Sequence, residues 1–254
     1  MLNKHCEVKS RHKHRRAYIY KDIVIKEFDY LDDFKTELSS YKKLSSIINN
    51  ILLDEGWLLK SPKVINVKSK DTHCIEMDCM PGDTIDNLCF NKQEIPWELI
   101  GKALRLFHCK AFKIYNKQLI YYDFGLSNVM CSKKNQIISF IDPGAFFLTN
   151  ANQSNDVYLF LWSIFMYRLK GARIPLAAER KFLESYFLNT EAEKLQSRNL
   201  MPIIKNIRQI FSLRINQEHK KDSILKKIIY NILKEYFIIT RALKAHMIIN
   251  KLKC

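Results

Sequence analysis

Three side chains that can offer oxygen to a metal or take up a proton stand close together in this sequence. Asp123 and Asn128 lie five apart in Tyr121-Tyr-Asp-Phe-Gly-Leu-Ser-Asn-Val-Met130, and Asp142 follows the apolar run Ile137 to Ile141 at the opening of an Asp-Pro-Gly turn. The first pair reads as a loop between two apolar strands. Phosphoryl transfer from Mg-ATP uses such groups: the protein positions the nucleotide, holds Mg2+ against its phosphates and accepts a proton from the attacking hydroxyl. Hard Mg2+ prefers oxygen and takes one or two carboxylates, with water and phosphate completing its shell. An Asp and an Asn carbonyl suit it, and a second Asp is left over as base.

These residues need elements to hold them. Ala17-Tyr-Ile-Tyr and Ile23-Val-Ile-Lys-Glu-Phe28 flank the polar pair Lys21-Asp22, which reads as a hairpin with Lys26 on its second strand. A helix is expected from Asp32-Asp33 onward, with Phe34, Leu38, Tyr41, Leu44, Ile47 and Ile48 at helical spacing and Glu37 within it. Ile75-Glu-Met-Asp-Cys-Met-Pro-Gly82 is an apolar strand that ends in an acid and a turn. Pro96 to Cys109 opens a helical region, and Tyr158 to Tyr167 is a buried core helix. From Glu179 onward the chain reads as nearly all helix, with Lys181 to Leu188 and Ser223 to Leu252 carrying apolar residues at helical spacing.

Taken in order, these segments resemble the protein-kinase-like superfamily, whose catalytic loop carries Asp-x4-Asn and whose metal loop carries Asp-Phe-Gly. The closer likeness is to small-molecule and glycan kinases: aminoglycoside and choline kinase relatives, Kdo (lipopolysaccharide) kinases and RIO-type kinases. The resemblance implies an α+β, bilobal protein-kinase-like fold, with a small antiparallel-sheet lobe over residues 1–80 and a mainly helical lobe over 81–254. It implies Asp123 as the catalytic base and Asn128 and Asp142 as Mg2+ ligands. Lys26 would contact the phosphates and Glu37 would hold Lys26. Glu27 is a poorer partner, since a neighbour on a strand points to the opposite face. Backbone groups around Asp78 to Met80 would meet the adenine. Leu104-Arg-Leu-Phe-His108 is similar to the end of the helix before the catalytic loop, with His108 structural. Asn155-Asp-Val-Tyr-Leu-Phe-Leu-Trp162 is similar to the Asp-led helix in which Asp156 braces that loop.

The sequence departs from the pattern in three places. Only six glycines are present, the first at Gly56, so no glycine-rich loop precedes Lys26. Lys9-Ser-Arg-His-Lys-His-Arg-Arg16 stands there instead and offers side-chain cations, Arg15 and Arg16 among them, to cover phosphates. Tyr121 replaces the His of His-x-Asp, and Pro143 replaces the Phe of Asp-Phe-Gly; both suit a constitutively built small-molecule kinase.

Composition agrees. The chain of 254 residues is 47% hydrophobic and 27% charged, the make-up of a folded globular protein. No apolar run reaches the roughly 18 residues of a membrane span, and the N-terminus lacks the apolar core of a secretory signal. The seven cysteines form no Cys-x-x-Cys pair, which points to a reducing cytoplasm rather than a disulfide framework or zinc site. The net charge of +16 is concentrated: Lys4 to Arg16 holds six Lys or Arg against one acid, and Met201 to Cys254 holds twelve against three. Such a surplus bears on partners, not on fold.

The expected function is therefore an ATP- and Mg2+-dependent phosphotransferase acting on a hydroxyl of a small molecule or glycan of anionic character, a lipopolysaccharide core sugar being one such acceptor. The basic ends also suit peripheral contact with an anionic membrane at the inner face. An atypical RIO-like protein kinase with an RNA-bound or ribosomal substrate is the alternative. It is disfavoured by the lack of an aromatic-interleaved basic motif and of Ala-Pro-Glu after Gly144. A catalytically inactive kinase-like scaffold is the other alternative, opposed by the presence of Asp123, Asn128 and Asp142 together.

Overall fold

The computed structural model describes residues 6–8, 15–69, 72–121, 123–144, 146–149, 154–187, 224–238, 240 and 247. The basic stretch 9–14 lies outside the described residues, as do 188–223, 241–246 and 248–254, which hold most of the C-terminal basic segment. By its contacts the chain divides into two compact units. One joins Met1–Leu88 with Tyr121–Phe147, and the other joins Cys89–Ile120 with Leu148–Cys254. The segment bearing Asp123, Asn128 and Asp142 thus groups with the sheet-forming N-terminal residues.

In the first unit, β1 (Cys6–Val8), β2 (Arg15–Tyr20), β3 (Ile23–Phe28), β6 (Val64–Lys68) and β7 (His73–Asp78) make an antiparallel sheet in the order β1-β2-β3-β7-β6. The β2–β3 turn is the expected one, with Lys21 in the left-handed region at φ 48°. Register fixes which side chains share a face: Ala17 opposes Lys26, Arg15 opposes Phe28, and Lys26 opposes Ile75 on the other side. Side chains alternate along a strand, so Arg15, Ala17, Val24, Lys26, Phe28, Ile75 and Met77 all lie on one face.

Helix α1 (Leu31–Ile47) packs on that face against β3 and β7. Asp32 and Asp33 sit in its first turn, where the helix dipole favours negative charge. Phe34 and Tyr41 project into a core with Phe28, Ile75 and Met77, flanked by Val24, Leu38 and Val64. Each such buried side chain contributes roughly 1.5–3 kcal/mol over exposure. Lys26 and Glu37 are therefore polar groups set into an apolar interface, which obliges them to find partners.

A second sheet in this unit has the order β4-β5-β11-β10-β8, built from β4 (Ile51–Leu52), β5 (Leu58–Lys60), β8 (Asp83–Thr84), β10 (Val129–Ser132) and β11 (Ile137–Phe140). Strand β5 runs parallel to β11, whereas β10 and β11 form an antiparallel hairpin. Helix α2 (Ile85–Phe90) follows β8. Gly82, at φ 98°, is required: a Cβ there would overlap the Cys131 carbonyl. Strand β9 (Gln118–Tyr121) leads into the Asp123 loop, and β12 (Phe146–Thr149), its partner in a two-stranded sheet, follows the Asp142 turn.

The second unit is helical. Helix α3 (Trp97–Tyr115) starts after Pro96 and ends at Asn116, which is left-handed at φ 48° and donates its N–H to Phe112 O at 2.8 Å. His108 was expected at the end of this helix but lies two turns inside it, because the apolar face continues through Ala111. With α4 (Ser154–Leu169) and α5 (Ala177–Phe187), α3 surrounds a buried polar node. His108 Nε2 meets Asp156 Oδ2 at 2.8 Å and His108 Nδ1 meets Tyr186 OH at 2.7 Å. With the Asp156 carboxylate the acceptor, Nε2 is the donor of that bond. Helix α6 (Ile224–Phe237) places Phe237 against Trp162 and Phe165 of α4, with ring centroids 5.1 and 5.8 Å apart.

Candidate active site

All seven residues singled out from the sequence as site residues fall in the first unit. The β10–β11 hairpin brings three of them together. Val129 opposes Phe140, so the residues just outside the hairpin, Asn128 and Ile141, also face each other, and Ile141 N–H donates to Asn128 O at 3.0 Å. The Ile141 carbonyl accepts from the Tyr121 hydroxyl. The residue before Asp142 is thus held from both sides, by the start and by the end of the Asp123 loop.

Within that loop the Asn128 side-chain amide donates through Nδ2 to Asp123 O at 2.8 Å. This bond uses Nδ2 and leaves Oδ1 as the side-chain atom a hard cation would use. Asp142 is left-handed at φ 50°, a conformation that non-glycine residues adopt rarely and that collects at functional sites. Its carboxylate is 46% exposed. Gly144, also left-handed at φ 56°, lies where a Cβ would stand 3.6 Å from Asp123 Cβ. Asp123 and the Asp142 turn are neighbours in space as well as in sequence order.

Lys26 reaches this cluster from the first sheet. Its Nζ lies 2.6 Å from Glu37 Oε1 and 2.7 Å from Asp142 Oδ1. The ring of Tyr41, one turn after Glu37 on α1, has its centroid 5.3 Å from the same ammonium. Burial pulls the Lys26 pKa down, but Asp142 and then Glu37 outweigh it, and the amine stands well above the ordinary lysine value. Glu37 stands above the usual carboxylate value, burial outweighing the pull of Lys26 and Arg15. Glu27 is on the opposite face, 3.5 Å from Arg16.

The two arginines expected to face phosphates both have carboxylate partners. Arg15 Nη1 lies 2.9 Å from Glu37 Oε2, and Arg16 lies 3.5 Å from both Glu27 and Asp29. The sequence pattern marked these cations but not their direction, which depends on the β2–β3 register. Tyr41 counted in the sequence only as an apolar position, yet its spacing of four from Glu37 puts both on one helix face.

At the expected hinge, Asp78 N–H donates to Lys63 O at 3.1 Å and Cys79 N–H to Asp22 O at 2.8 Å. The Asp78 carboxylate accepts from Lys63 N–H. Met80 is buried.

For a divalent cation, the Asn128 amide oxygen and the exposed Asp142 carboxylate are hard oxygen donors beside the loop that carries Asp123. That donor set fits Mg2+, which needs few protein ligands.

No protein-family model and no curated protein matches this sequence. Solved structures do. A choline/ethanolamine kinase family protein from Mesorhizobium loti shares the fold with a TM-score of 0.61 at 9% identity, over 94% of this chain and 90% of its own. An ethanolamine kinase from Plasmodium vivax does so with a TM-score of 0.52 at 14% identity, over 91% and 80%. A third, WbdD, has a TM-score of 0.48 at 16% identity, over 90% of this chain and 50% of its own. The chain has an α+β protein-kinase-like fold, the fold of these choline and ethanolamine kinases.

Proposed function

We propose that this chain is an ATP- and Mg2+-dependent phosphotransferase that moves the γ-phosphate to a hydroxyl of a small molecule or glycan. The observation that carries the reading is the convergence of Lys26, Glu37 and Asp142 through bonds of 2.6 and 2.7 Å, at the open end of the β10–β11 hairpin where the loop of Asp123 and Asn128 also stands. The fold supports it, since two kinases of small alcohols share it.

In this reading Met80 N–H and the neighbouring Asp78 carbonyl meet the adenine. Lys26, kept charged by its two acid partners, binds phosphate oxygens. Asn128 and Asp142 supply oxygen ligands to Mg2+, which would neutralise charge on the transferring phosphoryl group when bound. Asp123 orients the acceptor hydroxyl and takes its proton. The acceptor is of anionic character, drawn by the basic surplus of +16; a lipopolysaccharide core sugar has that character. Among the described residues no helix is long and apolar enough to cross a membrane, and Cys74, Cys79, Cys89, Cys109 and Cys131 are free thiols, as a cytoplasmic enzyme would keep them.

The test is phosphate transfer from γ-labelled ATP, screened over amino alcohols, aminoglycosides and acidic sugars, with Asp123→Ala beside the wild type. A general base is worth on the order of 10²–10⁴ in rate. Turnover is expected to fall by that factor in Asp123→Ala while ATP affinity stays within about twofold; unchanged turnover in the variant would reject Asp123 as base.

A further inference from the structure

Glu37 is a carboxylate with two occupied oxygens. It is 1% exposed, so each oxygen must be satisfied inside the protein. Lys26 takes Oε1 at 2.6 Å, and Arg15 takes Oε2 through Nη1 at 2.9 Å. The arginine arrives from β2, the lysine from the adjacent β3, and both lie on the sheet face that α1 covers.

The Arg15 guanidinium is itself fixed by two further groups. Nη2 lies 3.5 Å from Asp33, one helical turn before Glu37 on α1, and the guanidinium carbon lies 5.7 Å from the centre of the Phe28 ring. Arg15 therefore ties strand β2 to two successive turns of α1. A planar, forked guanidinium holds its donors in a fixed geometry that suits such bridging.

Lys26 divides itself between Glu37 and Asp142. If Asp142 turns to a cation and Lys26 to phosphate, Glu37 becomes the sole acid holding Lys26. We propose that Arg15 is a positioning residue of the phosphate site: by binding the Glu37 oxygen that Lys26 leaves unused, it fixes the carboxylate and, through it, the lysine. The inference rests on the reading of Lys26 as the phosphate-binding amine. It also gives the lysine a support on the strand that precedes it, in a chain without glycines before Gly56. Arg15 acts through Glu37 and does not itself touch the nucleotide.

The test is the affinity of the full chain for ATP and for adenosine, both with Mg2+, in the wild type, Arg15→Met, Arg15→Lys, Glu37→Gln and Arg15→Met/Glu37→Gln. Coupled neighbours in one ion-pair network show that coupling in double-mutant cycles. Arg15→Met is expected to weaken ATP about tenfold and leave adenosine unchanged, because only ATP carries phosphates. Arg15→Lys, which restores one charged bond, should recover most of the loss. In the Glu37→Gln background, Arg15→Met should cost nothing more.

A loss shared equally by adenosine would make Arg15 a merely structural residue and overturn the proposal. A full further loss in the Glu37→Gln background would mean that Arg15 touches phosphate directly, and would overturn it as well. ATP binding that Arg15→Met leaves intact sinks this inference alone. A wild-type protein that binds no ATP sinks the nucleotide reading and this inference with it.

Discussion

At the residue scale the chemistry is concentrated on one ammonium. Lys26 is flanked by Glu37 at 2.6 Å and Asp142 at 2.7 Å, and these acids hold its pKa well above the ordinary 10.5 despite burial. A lysine whose folded pKa is raised adds stability that is fully present below the unfolded value and is lost only as pH rises through the folded value. The difference in melting temperature between wild type and Lys26→Met should therefore be the same at pH 7 and pH 9, both below that window. Thermal unfolding at the two pH values checks it; a gap that closes by pH 9 would mean that the ammonium is not held as described. The Lys26–Glu37 pairing was implied by the family resemblance, with strand alternation deciding against Glu27. The role of Arg15 was not. Arg15 and Arg16 look alike in sequence, and only the pairing of Arg15 with Phe28 and of Arg16 with Glu27 sends one toward α1 and the other away.

At the scale of elements, the β10–β11 hairpin makes the site. Its register, with Val129 facing Phe140, puts Asn128 beside Ile141 and so beside Asp142. The strand-like run Ile137 to Ile141 and the Asp123 loop could be read in the sequence, whereas this register could not. The parallel pairing of β11 with β5, and the meeting of His108 with Tyr186, 78 residues away, could not. Neither leaves a local pattern, and tertiary packing alone decides them. Packing also explains Gly101 inside α3, where a Cβ would overlap the Phe182 carbonyl of α5. Gly101→Ala gains up to about 1 kcal/mol of helix propensity, but overpacking costs about 1–3 kcal/mol, and backbone is the obstacle. The variant is expected to be less stable than wild type by about 1–2 kcal/mol in urea unfolding. Equal or greater stability would show that α3 and α5 do not approach so closely.

At the scale of the whole molecule, a sheet-rich unit assembled from two stretches of chain carries every proposed nucleotide and metal residue, and a helical unit is organised around His108, Asp156 and Tyr186. The order of motifs announced the kinase-like fold, and two solved kinases share it at 9% and 14% identity. A fold hosts many functions, so activity has to be argued from the site. The acceptor was not legible because no motif in the helical residues marks it. The central claim, that Asp142 and Lys26 serve a metal-nucleotide site, is open to one direct measurement: thermal unfolding with ATP, with and without Mg2+, on wild type and Asp142→Ala. A ligand that binds only the folded state stabilises it by RT ln(1 + [L]/Kd), about 2.7 kcal/mol at 100 times Kd. The account expects a Mg2+-dependent rise in melting temperature for the wild type that Asp142→Ala loses. A well-folded wild type that shows no shift, or a shift that Asp142→Ala retains in full, would contradict it.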